Sequence, residues 1–174
     1  LSLCNPTHPM HKLLNILDRI NQFTGTLVSW LSALLVLLIC IDVTMRYLFD
    51  FTLIWIIELE IYFFALMFLL ASGYALKHDR HVRVDVFYSK MNERNKAWVD
   101  LIGTTIFLLP WCIVIIWVSA NYSYFSFIIN ERSPQPGGLP ALYLLKFSMT
   151  VGFFLLAVQG LSLWIKSVIK LTDT

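Results

Sequence analysis

The sequence predicts an all-α membrane protein: four transmembrane helices, a short amphipathic interfacial helix between the second and third, and both termini cytoplasmic. Three observations carry this expectation. The chain is 58% hydrophobic and only 14% charged, with a mean hydropathy of +0.72, whereas soluble domains carry about a quarter charged residues. The apolar residues gather in four long runs, and the Lys and Arg residues gather at one set of connections between them.

The runs are 27–45, 53–76, 98–120 and 142–167, each long enough for the roughly 20 helical residues that cross a hydrocarbon core. None alternates with a period of two, which disfavours a barrel, and backbone polar groups in lipid must be paired within their own segment. The length of 174 residues leaves room for one membrane domain, 1–174. The first run is too long for the apolar stretch of a cleavable leader and lacks a small-residue cleavage site, so it is expected to remain as a span. Cys4, Cys40 and Cys112 have neither metal nor disulfide spacing.

Orientation follows from charge. Lys77, Arg80, Arg83, Lys90, Arg94 and Lys96 lie between the second and third runs, Lys12 and Arg19 precede the first, and Lys166 and Lys170 close the fourth. Only Arg46, Arg132 and Lys146 remain for the other side. Lys and Arg resist translocation, which places the termini and the segment 77–97 in the cytoplasm. Within that segment Val84, Phe87, Tyr88, Met91 and Trp98 share a helical face opposite Lys90, Glu93, Arg94 and Lys96. An interfacial helix over 86–97, with Asp85 as its N-cap, is therefore expected to lie against membrane phospholipids. Positive-inside topology accounts for the charge, and no nucleic-acid partner is expected. His78 and His81 stand at i, i+3 with no second pair at zinc spacing, so neither a metal nor a cofactor is expected.

Ionisable groups within spans are costly and mark candidate functional positions. Asp42 and Arg46 stand at i, i+4 and are placed to pair. Glu58 shares a face with Trp55 and Tyr62, while Glu60 points roughly the opposite way. One glutamate is placed to meet Arg46 across the hairpin, the other to meet a partner protein or a wet crevice. Pro110 is placed to kink the third helix. The loop before the fourth run is aromatic, then turn-rich through "SPQPGG". There is no Walker motif, no Ser/His/Asp set and no HExxH, so an enzyme is not expected.

An ordered set of motifs carries a family resemblance: "RYLF" from Arg46, Trp55 and Glu58 in "WIIE", "GYALKHDRHVRVD" from Gly73 to Asp85, "LLPW" ending at Trp111, "ERSP" from Glu131, and "VGFFLLAVQGL" from Val151. Together with four spans, these make the chain resemble the small, DctQ-like membrane subunit of tripartite ATP-independent periplasmic (TRAP) transporters, over about 14–170. The resemblance implies a bacterial inner-membrane protein without catalysis of its own. Its partners are a large multi-span transport subunit, which carries substrate and sodium, and a periplasmic substrate-binding protein, which delivers an organic acid or sugar acid. It also adds Trp55, Glu58, His81, Arg83, Asp85, Glu131 and Ser133 as structural or partner-contact candidates beside Asp42, Arg46 and Glu60. Ile57 stands where the family often has a further acidic residue. A different class of protein is a self-sufficient small oligomeric ion-coupled transporter or channel using Glu58 and Glu60.

Overall fold

The computed structural model describes residues 9–78 and 91–172, and the regular elements among them are all helical. Helix α1 spans Pro9–Phe49, α2 Ile54–Lys77, α3 Glu93–Gly103, α4 Leu109–Ile128 and α5 Leu142–Thr172. A π-helical turn, Thr104–Leu108, joins α3 and α4 into one rod. Pro110 explains it: the ring has no N–H and crowds the carbonyl four residues back. The chain widens instead, and the Leu109 N–H bonds the Thr104 carbonyl. Trp164 on α5 donates its indole N–H to Thr105 Oγ1 in this turn at 3.0 Å.

Four helical stretches are long and apolar enough to cross a membrane: Ile16–Phe49, Ile54–Lys77, Arg94–Ile128 and Leu142–Thr172. They form a row. Helix α5 lies between α2 on one side and the α3–α4 rod on the other, and α1 flanks α2 with a lesser contact to α5. The central helix buries a stripe at spacings of four and three: Ser148, Gly152, Leu155, Gln159 and Ser162. Large apolar side chains face outward instead, Trp30, Phe68, Phe107 and Trp117 among them. This inverts the soluble pattern and suits helices in lipid, where small residues admit close backbone approach and polar pairs specify it. A Cβ on Gly152, for example, would stand 2.9 Å from the Leu69 carbonyl oxygen of α2.

The helix expected over 86–97 is not continuous across that range. Met91 and Asn92 are not helical, and Asn92 is extended (φ −64°, ψ 153°) where α3 begins. Residues 93–97 are therefore the opening turns of the third rod, where burial of Ala97 ties them to the bundle. Residues 86–90 and the N-cap candidate Asp85 lie outside the described residues, as do His81 and Arg83.

Candidate functional site

Two polar nodes hold the row together, one at each end, and a charged seam lies between α1 and α2. At the end carrying the loops 50–53 and 129–141, Asn130 enters the left-handed region (φ 49°). The Glu131 N–H bonds the Ser126 carbonyl and the Asn130 N–H the Phe127 carbonyl, both at 3.0 Å. This is a Schellman closure of α4. It delivers Glu131 to a cation, since its Oε2 accepts from Lys146 Nζ on α5 and from the Ser126 hydroxyl at 2.6 Å. Lys146 also sits 3.9 Å over the Tyr122 ring, a cation–π contact.

Glu58, on the first turns of α2, reaches the same loop. Its Oε1 accepts from the Ser133 hydroxyl and its Oε2 from the Leu139 N–H at 2.6 Å. Two of the candidate residues, 75 positions apart in sequence, thus meet directly. Trp55, one turn earlier, remains exposed.

In the α1–α2 seam Arg46 pairs with Asp42, whose side chain is 4% exposed against 47% for Arg46. Glu60 lies within electrostatic reach of both. Its Oε1 is buried without a hydrogen-bond partner, and so is the Tyr62 hydroxyl. The two glutamates therefore serve different places: Glu58 the loop, Glu60 the seam.

The opposite node had no counterpart in the sequence reading. Asn21, fully buried, donates through Nδ2 to Gln159 Oε1 at 2.9 Å. Gln159 Nε2 donates to Asp18 Oδ1 at 3.2 Å, Ser162 Oγ to the same oxygen at 2.9 Å, and Lys166 Nζ to Asp18 Oδ2 at 2.7 Å. Lys77 at the end of α2 donates to the Asp18 carbonyl and to Gln22 Oε1, both at 2.9 Å. Seven polar side chains, Asp18, Asn21, Gln22, Lys77, Gln159, Ser162 and Lys166, thereby join α1, α2 and α5. The available signal was spacing: Asp18 and Asn21 at i, i+3, and Gln159, Ser162 and Lys166 at i, i+3, i+7, each set on one helical face.

Among the described residues no group of three or more His, Cys, Asp or Glu is arranged to hold a metal. What the nodes supply is fixed geometry. Lys146 and Ser126 hold the Glu131 carboxyl below its usual value of 4.5. A lowered native value means that the unfolded chain takes up the proton first as pH falls. The contribution is thus complete above about pH 4.5 and is lost as pH drops through the lower native value. The stability advantage of the native protein over Glu131→Gln is expected to be flat near neutrality and to shrink below about pH 4.5. Thermal melts of both proteins across that range check this.

The sequence profile of the family "Tripartite ATP-independent periplasmic transporters, DctQ component" matches residues 35–169. A curated relative, the C4-dicarboxylate TRAP transporter small permease protein DctQ of Vibrio cholerae serotype O1, is 28% identical over 120 residues. The match covers 67% of this chain and 50% of the relative, so the chain spans about half the length of the curated relative it matches.

Proposed function

The chain belongs to the DctQ-component family of the tripartite ATP-independent periplasmic transporters, and from that premise we propose that it is the fixed frame of a sodium-coupled permease. In this reading it binds a large multi-span subunit that carries substrate and sodium across the inner membrane. Its termini lie in the cytoplasm, and the loop 129–141 faces the periplasm, where it helps to dock the substrate-binding protein. The substrate is an organic acid or sugar acid; the Vibrio relative carries C4-dicarboxylate in its name. One observation carries the proposal: two polar nodes are spent on joining the bundle's own elements, with Asn21, Gln159 and Asp18 locked together at one end and Glu58 with Ser133 and Glu131 with Lys146 at the other. Such a row resists internal movement and leaves broad apolar faces for lipid and for a partner.

The self-contained transporter reading needs Glu58 and Glu60 on one path. Both Glu58 oxygens are engaged by the loop, while Glu60 faces the Asp42–Arg46 seam, so the geometry favours the frame. Purification from a native membrane with a tag on this chain separates the readings. A stoichiometric complex with a much larger membrane protein is expected; a homo-oligomer that recovers no larger subunit supports the self-contained transporter.

A further inference from the structure

Residues 133–139 form a closed loop around one carboxylate. The Ser133 N–H bonds the Leu139 carbonyl at 3.3 Å and the Gly138 N–H bonds the Gln135 carbonyl at 3.0 Å. The Gln135 N–H bonds Ser133 Oγ at 3.1 Å. Glu58 then takes hold of both ends, accepting from the Ser133 hydroxyl through one oxygen and from the Leu139 N–H through the other. The two glycines have separate reasons. Gly137 occupies the left-handed region (φ 81°), which glycine enters without penalty. Gly138 leaves room for the clasp, since a Cβ there would lie 2.6 Å from Ser133 Oγ and 2.7 Å from Glu58 Oε1. Pro134 and Pro136 stiffen the tip between the ends. Pro134, Gln135, Pro136 and Gly137 are all exposed, with exposed Arg132 beside them.

We infer that Glu58 is a positioning residue that holds 134–137 as a rigid docking tip, and that the tip and Arg132 engage a soluble protein through an apolar, aromatic-lined hollow with a carboxylate at its rim. The inference rests on the docking role proposed above. The chemistry of the partner follows from the tip. Two prolines and a glycine offer apolar surface that packs on aromatic rings, Gln135 offers one amide, and Arg132 is the charge adjoining the tip. Rigidity is what the clasp adds. A loop already held in its bound form loses little entropy on docking, whereas an unclasped loop loses it at the moment of binding.

Two sets of variants of the complete transporter, reconstituted with its substrate-binding protein, test this. Glu58→Ala, Ser133→Ala and Gly138→Ala loosen the clasp from three positions. Gln135→Ala and Arg132→Ala, the tip variants, alter the engaging surface and leave the clasp and both prolines intact. For Glu58→Ala the concentration of loaded binding protein giving half-maximal uptake is expected to rise about five- to tenfold, with the maximal rate unchanged. Ser133→Ala and Gly138→Ala should rise less. Amide exchange should accelerate across 133–139 in the clasp variants and stay native elsewhere. Tip variants should raise the half-maximal concentration with native exchange rates. A rise for the tip variants and none for the three clasp variants overturns the role of Glu58 while docking stands. No rise in either set, with exchange accelerated in the clasp variants, overturns docking by this loop and the inference with it. If Glu58→Ala fails to assemble, Ser133→Ala and Gly138→Ala decide between the same outcomes.

Discussion

Arg46→Ala is expected to destabilise the hairpin of α1 and α2. The reason is what it leaves behind. Asp42 is almost wholly buried, and Glu60 lies within reach of its charge with one oxygen already unpartnered. Without the guanidinium the seam holds two carboxylates and no compensating cation from Arg46. Removing one partner of a fully buried ion pair costs roughly 3–5 kcal/mol, mostly through the uncompensated charge that remains. With Arg46 half-exposed, solvent screening brings the cost here below that range. Arg46→Lys should cost less, because it keeps the charge and loses only the forked donor geometry. Adding Asp42→Asn to Arg46→Ala should restore part of the loss, because it removes one of the two stranded charges and leaves Glu60. Thermal melts of the purified protein in detergent provide the measurement. A native melting temperature for Arg46→Ala would mean that the half-exposed guanidinium merely snorkels to the headgroups.

Gly73→Ala is expected to open the junction of α1, α2 and α5. A Cβ at Gly73 would overlap Asn21 Oδ1 and stand 3.0 Å from the Leu155 carbonyl oxygen. Asn21 cannot swing aside without losing its bond to Gln159, and the Leu155 oxygen belongs to the backbone of α5. Overpacking of this kind costs about 1–3 kcal/mol, and stranding a buried amide adds about 1–3 kcal/mol more. Gly103→Ala is the matched control, since a Cβ there meets nothing within 4 Å. It should be neutral or stabilising by about 0.5–1 kcal/mol, the usual preference for Ala over Gly inside a helix. Equal stability of the two variants would place the junction elsewhere.

The contrast between those glycines shows where legibility in the sequence stopped. The four long helices were readable because lipid leaves a chain little choice: long apolar runs without two-residue alternation must pair their own backbone. The Asp42–Arg46 pair was readable because both residues lie on one helix at i, i+4. The meeting of Glu58 with Ser133 was not, since it depends on how the 129–141 loop folds back over α2. The order of the row was hidden for a related reason. Helices that are apolar all round carry no stripe to show which neighbour they face. The amide node was overlooked because Asn21 and Gln159 are neutral, and a search for intramembrane charge passes over them, although both are nearly fully buried and bonded across helices. The break at Asn92 was not legible because the apolar face over 84–98 runs on through Trp98 into α3 without interruption in the sequence, whereas the backbone is extended at Asn92.

The central claim is that this chain moves nothing by itself and that transport fails without it. Liposomes carrying a sodium gradient and supplied with the loaded substrate-binding protein test it most directly, with three preparations compared: this chain alone, the large subunit alone, and the two together. The account predicts substrate uptake only where both membrane subunits are present. Uptake by this chain alone would contradict it and favour the self-contained transporter, and full uptake by the large subunit alone would contradict the need for a frame.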